Sequence, residues 1–151
     1  MEAWLDLANI YTKLESFSDA EICVGKAKSK EFYYPRAWHS TGLLFEAQSL
    51  HKEALVAYSI SLSIQPDFVP SLVSTAETLI KMGGSGSGSG THTLPIARSF
   101  LMNTLRLEPT NHDAWFNLGL ICKKEGLMRQ AADFFQAAHE LKLSALVQSF
   151  V

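Results

Sequence analysis

The side chains in this sequence that could carry chemistry are few and scattered. Its five histidines, His39, His51, His92, His112 and His139, show no HxxxH or HExxH spacing. No helix face therefore offers two imidazoles to one metal ion. Each is expected at a solvated or helix-cap place. Cys23 and Cys122 are the only cysteines, and neither belongs to a CxxC pair or a Cys/His cluster. Among apolar neighbours a free thiol behaves as a small hydrophobe, and a reduced cytosolic setting is the expectation. No GxGxxG, P-loop or GxSxG occurs. The chain is thus expected to be no enzyme, with no cofactor and no metal.

The elements that would have to position any site come next. Of 151 residues, 47% are hydrophobic and 19% charged, which suits a globular chain of one domain. A net charge of -2 leaves no basic footprint for nucleic acid. No apolar run approaches the roughly 18 residues a bilayer span needs. The start, Met1-Glu2-Ala3-Trp4, lacks the basic-then-apolar profile of a secretory signal.

Internal repetition dominates. Trp4 to Trp38 is 34 residues and Trp38 to Leu72 is 34 again, while Leu72 to Trp115 is 43. A second landmark agrees: Ala20 to Ala54 is 34, Ala54 to Ala97 is 43, and Ala97 to Ala131 is 34. The excess of nine falls between Leu79 and Ala97, where Gly83 to Gly90 alternate glycine and serine. Such a run is a flexible linker by composition and is set aside from fold reasoning.

A 34-residue period with W-x2-L-G-x2-Y followed by A-x3-F and P marks the tetratricopeptide repeat. Trp4, Leu7, Ala8 and Tyr11 open the first copy, closed by Ala20, Val24 and Ala27. The second carries Trp38, Gly42, Phe45, Ala54, Tyr58 and Pro66; the third, the weakest, Leu72, Ala76, Leu79, Ala97, Leu101 and Pro109. The fourth has Trp115, Leu118, Gly119, Ala131, Phe135 and Ala138. Gly42, Gly119, Ala8 and Ala76 stand where two helices of a hairpin should cross closely, and Pro66 and Pro109 stop second helices.

The spacing predicts an all-α, right-handed solenoid of four helical hairpins in a single domain, 1–151. Repeats fall at about 1–34, 35–68, 69–111 (with the 83–90 linker) and 112–145, with a tail at 146–151. Helices are expected at about 2–14, 18–30, 36–48, 51–64, 70–82, 94–107, 112–125 and 128–141. The tail, with Leu143, Leu146, Val147 and Phe150 at helical spacing, is expected to cap the last hairpin or to dock a partner.

Repeat arrays bind on their concave surface, which first helices line. The candidate partner-binding face is Leu5, Asn9, Arg36, His39, Leu43, Val73, Glu77, Ile80, Phe116, Asn117, Leu120 and Lys124. Chaperone-binding members of the family clamp a peptide carboxylate with Lys, Asn and Arg; here those places hold Leu5, Ser40, Pro70 and Ser74, with only Asn9 as expected. The apolar patches suit an amphipathic helical ligand better than a charged tail. Lys123, Lys124 and Arg129 beside Leu127, Met128, Phe134 and Phe135 could mark a calmodulin target, although Phe135 is a repeat-core position and Gly126 interrupts the helix.

The stretch Ala3-Trp4-Leu5-Asp6-Leu7-Ala8-Asn9-Ile10-Tyr11 with Asp19-Ala20-Glu21 resembles the C-terminal repeats of the plant No Pollen Germination family. So do Leu94 to Leu101, Arg106 to Asn111, and Gln148-Ser149-Phe150. The resemblance implies a scaffold related to animal tetratricopeptide subunits of the plasma-membrane phosphatidylinositol 4-kinase complex. It implies a hyccin-like partner, binding of calmodulin as an alternative, and a cytoplasmic location peripheral to the plasma membrane. It also implies that the Gly/Ser run replaces a native loop. Self-association through the first helix, by Leu7, Ile10 and Leu14, is a further expectation.

Overall fold

The computed structural model describes residues 2–83 and 92–148. Every regular element among them is a helix: α1 (Glu2–Lys13), α2 (Phe17–Lys30), α3 (Pro35–Ala47), α4 (His51–Ile64), α5 (Val69–Gly83), α6 (Thr93–Leu107), α7 (His112–Lys124) and α8 (Met128–Gln148). Helices α1 and α2, α3 and α4, and α7 and α8 pack against each other as hairpins, the building unit of the tetratricopeptide-repeat fold. The chain packs as two compact units that divide between Ser74 and Thr75. Most of the Gly/Ser run lies outside the described residues, whereas both flanking helices, α5 and α6, are regular.

Steric matching sets the crossings. In the first hairpin Ala8 packs with Cys23 and Val24. In the second, Gly42 replaces that alanine, and Tyr58 fills the space: a Cβ at Gly42 would lie 2.1 Å from the Tyr58 ring. In the fourth, Gly119 faces Phe135, whose ring would lie 2.6 Å from an added Cβ. Removing one methyl from the first helix thus admits a ring from the second, at native packing density.

The turns inside the hairpins share one geometry. Glu15, Ser49 and Gly126 adopt left-handed φ of 60°, 61° and 81°. The next residue's amide then reaches back over the turn: Ser16 to Tyr11, Leu50 to Phe45 and Leu127 to Cys122, each 2.9 Å. This six-to-one bond satisfies carbonyls that the helix end would otherwise leave orphaned. Between hairpins the tryptophans act as struts. The Trp38 indole N–H donates to the Phe32 carbonyl at 2.9 Å, and Trp115 donates to that of Pro109 at 3.0 Å. The side chain of Asn111 caps α7 by accepting from the Ala114 amide.

One expectation needs correction. Tail residues 142–148 form no separate cap folded over the last hairpin; they continue α8, with Leu143, Leu146 and Val147 exposed. Neither proline nor glycine follows Leu141 to stop the helix there. Leu14 lies beyond the end of α1, at the repeat position of Gln48 and Glu125, which are exposed too.

Candidate functional site

The candidate face resolves into buried packing residues, paired polar groups and two open clefts. Leu5 is fully buried, packed with Ala27 and Ala37 beneath Trp4 and Tyr34, because α3 crosses the first hairpin at this point. Val73 and Ile80 are buried in α5, and Asn117 in α7. These four side chains offer no surface to a partner.

Several of the others are tied up in contacts within their own unit. In the first unit, Arg36 pairs with Glu2 and Asp6 across α3 and α1. His39 departs from the solvated place expected of it. Its Nε2 lies 2.9 Å from the Ser74 hydroxyl, and the rings of Tyr58 and Phe68 flank it, with centroids at 5.7 and 6.0 Å. Burial, helped by the charge of Arg36, lowers its pKa to about 4, so the imidazole is neutral in ordinary conditions. In the second unit, Asn117 donates to the Glu77 carboxylate at 3.2 Å and to the Asp113 carbonyl at 2.8 Å. A buried amide with two acceptors is a structural fastener between α5 and α7.

Among the described residues, open surface includes two clefts. Asn9 and Leu43, with Thr12 and Lys13, line a shallow cleft of about 320 Å³ between α1 and α3. Phe116 lines a larger one of about 460 Å³ between α7 and α8, with His112, Asp113, Phe135, Ala138, His139 and Lys142. Phe116 is 48% exposed and stacks at 5.3 Å on Phe135. Leu120 is partly buried and Lys124 exposed. The residues of the α8 side, Ala138, His139 and Lys142, were absent from the candidate face. They belong to a second helix, and the spacing alone assigns second helices to the convex side.

The basic turn comprises Lys123, Lys124 and Arg129, all exposed, around Gly126. Phe134 packs on Trp115 and Phe135 on Phe116, so both rings are engaged with α7 within the last hairpin. Among the described residues there is no group of three or more His, Cys, Asp or Glu placed to hold a metal, and no helix is long and apolar enough to cross a membrane. Cys23 and Cys122 are free and buried.

Comparison with known proteins agrees with this architecture. The tetratricopeptide repeat family model matches residues 112–144, the fourth hairpin. Protein NPGR1 of Arabidopsis thaliana is 59% identical over 150 residues, covering 99% of this chain and 21% of the relative. Protein NPG1 of the same plant is 36% identical over 149 residues, covering 99% of this chain and 21% of its own length. Human Tetratricopeptide repeat protein 7A is 25% identical, covering 99% of this chain and 16% of that protein. The chain therefore spans about a fifth of the length of the curated relatives it matches. Among solved structures, the thermophilic tetratricopeptide protein TTC0263 of Thermus thermophilus superposes with a TM-score of 0.82 at 18% identity, covering 93% of this chain and 73% of that one. MamA superposes at 0.72 with 17% identity, covering 96% and 80%. These two likenesses show the fold. The chain has the tetratricopeptide-repeat fold and is homologous over almost its whole length to the No Pollen Germination proteins, with Tetratricopeptide repeat proteins 7A and 7B as more distant relatives.

Proposed function

We propose that the chain is a non-enzymatic protein-interaction scaffold and part of a plasma-membrane phosphatidylinositol 4-kinase complex, where it works with a hyccin-like partner. The likeness that runs over almost the whole chain, to plant No Pollen Germination proteins and to human Tetratricopeptide repeat protein 7A, carries this reading. The side chains support it. His39, Glu77 and Asn117 are spent on holding hairpins together, while exposed Phe116 and the Asn9–Leu43 cleft present mixed apolar and polar surface. Rigid hairpins presenting such surface suit partner docking. Attachment at the plasma membrane is peripheral, through the complex.

The alternative is a calcium-dependent calmodulin-binding module centred on Lys123, Lys124 and Arg129. A calmodulin target is a continuous amphipathic helix, and the left-handed turn at Gly126 divides this one. Affinity purification of the tagged full-length protein, with calcium and with a chelator, separates the two. The scaffold reading expects the kinase and its partner in equal yield under both conditions. Calmodulin retained only with calcium, and no kinase in either condition, would reverse the order.

A further inference from the structure

The loops α2–α3, α4–α5 and α6–α7 each span four residues, 31–34, 65–68 and 108–111. Their backbones agree. In each, the first amide donates back to the helix end, Glu31 to Ala27, Gln65 to Ser61 and Glu108 to Thr104. Glu31 and Gln65 also share extended dihedrals, with φ of -148° and -138°. Two of the loops then continue Pro66-Asp67 and Pro109-Thr110, but the first continues Phe32-Tyr33. The Trp38 strut takes the Phe32 carbonyl just as the Trp115 strut takes that of Pro109, so neither strut needs a ring at this position. The fold therefore asks for no aromatic pair here, yet Phe32 is 56% and Tyr33 74% exposed. Phe32 meets Tyr33 and Trp38 edge to face, with centroids at 5.3 and 5.4 Å. Both flanking hairpins are among the described residues.

The end of α2 beside this loop departs from the repeat as well. Lys28 and Lys30 stand where the second repeat has Leu62 and Ile64 and the third has Leu105 and Leu107. Lys26 and Lys30 are exposed and Lys28 is half-buried. The ammonium groups of Lys26 and Lys28 lie 5.0 and 4.4 Å from the ring centres of Trp4 and Trp38, which brings charge to the level of the aromatic rings. From Ile22 to Phe45 the chain sets Lys26, Lys28, Lys30 and Arg36 against Glu31 alone, although its net charge is -2. Arg36 is spent on Glu2 and Asp6. The charge beside the loop is thus that of the three lysines, offset in part by Glu31 and by Glu21, which acts on Lys28.

We infer that this loop docks on an anionic membrane surface, Phe32 and Tyr33 entering the headgroup layer while Lys26, Lys28 and Lys30 face its phosphates. Two observations select lipid over a protein partner. The rings project from a loop and line neither cleft, and a bilayer receives such a tip without a matching cavity. The basic residues are lysines, which protein interfaces deplete in favour of arginine. Each lysine near an anionic surface adds about fivefold in affinity, so the three together give roughly a hundredfold preference over a neutral bilayer.

This contact is direct, in addition to attachment through the kinase complex, and does not rest on it. Flotation of the purified full-length protein, without the kinase, tests it, so this inference and the scaffold reading can fail separately. The vesicles are phosphatidylcholine alone, or phosphatidylcholine with an equal share of phosphatidylserine. Wild type should float with the anionic vesicles only, and less as salt rises. Replacing one lysine by glutamine should lower the affinity about fivefold, and replacing all three roughly a hundredfold. Phe32→Pro with Tyr33→Thr copies the α6–α7 loop without adding charge, and the extended backbone at Glu31 accepts a following proline. That variant should melt like wild type and stay in solution. Wild type that ignores the anionic vesicles overturns the inference, and an acidic protein surface would then be the occupant. Equal binding to both vesicle types overturns it too, as does a loop variant that floats like wild type.

Discussion

The first and last hairpins follow one plan and end differently. Both place a large apolar side chain directly after the first-helix tryptophan and a small residue opposite it, Leu5 with Ala27 and Phe116 with Ala138. In the first hairpin α3 covers the pair; in the last the pair borders an open cleft. The same sequence positions are therefore core in one place and surface in the other. Position in a repeat assigns an orientation to a side chain, and only the neighbour decides whether that orientation ends in protein or in water.

The largest expected effect tests the crossings on either side of this difference. Gly119→Leu should unfold the last hairpin and Gly42→Leu the second, since overpacking a close crossing costs typically about 1–3 kcal/mol or more. The two should not be equal. Tyr58, opposite Gly42, is fully buried and has nowhere to move. Phe135, opposite Gly119, lines the open cleft and can swing into it. Denaturant unfolding should show the greater loss for Gly42→Leu, and the same order for the milder pair Gly42→Ala and Gly119→Ala. Equal losses would mean that the cleft offers the ring no relief.

A covered place also desolvates whatever stands in it, and His39 occupies the position of Leu5 and Phe116 in the second repeat. Its pKa of about 4 in the folded chain lies below the ordinary value of 6.5, which the unfolded chain recovers. The fold therefore favours the neutral ring. Its contribution is complete above about pH 6.5 and is lost progressively as pH falls toward 4, by about 3 kcal/mol in all. His39→Leu, which copies Leu5, should flatten stability against pH across this window. A slope that persists in the variant would place its origin in other groups.

How much of this could be read in the sequence follows from the kind of signal each feature leaves. Helix positions were legible because tryptophan, glycine and alanine recur at a fixed period, and each answers a steric need that every hairpin shares. The ring facing Gly42 and the ring facing Gly119 belonged to the same pattern. Burial of Leu5, Val73, Ile80 and Asn117 was not legible, because a first-helix position reads alike whether or not the next helix covers it. The fasteners His39–Ser74 and Glu77–Asn117 join residues 35 and 40 positions apart. No local pattern marks such pairs. The length of α8 escaped for a different reason: with no stop signal after Leu141, helix simply continues, and a repeat length says nothing about residues beyond its own period.

The smallest expected effect concerns the turns, where the first and last hairpins reach one backbone conformation with different residues. Glu15 and Gly126 both hold left-handed φ, at 60° and 81°, and Ser49 does so in the second hairpin at 61°. A residue with a Cβ is strained there by roughly 1–2 kcal/mol, whereas glycine is not. Glycine carries an opposing cost, because it gives up more freedom on folding, by about 0.5–1 kcal/mol. The difference leaves a net gain on the order of 0.5–1 kcal/mol for Glu15→Gly and for Ser49→Gly. Gly126→Ala should lose a similar amount, and sterics will not blur the reading, since an added Cβ at Gly126 meets nothing within 4 Å. Thermal melts of the three single variants would show two rises and one fall. A Gly126→Ala chain as stable as wild type would mean that its turn relaxes out of the left-handed region. The amide of Leu127 would then lose its bond to Cys122, and hydrogen exchange at Leu127 would report that loss directly.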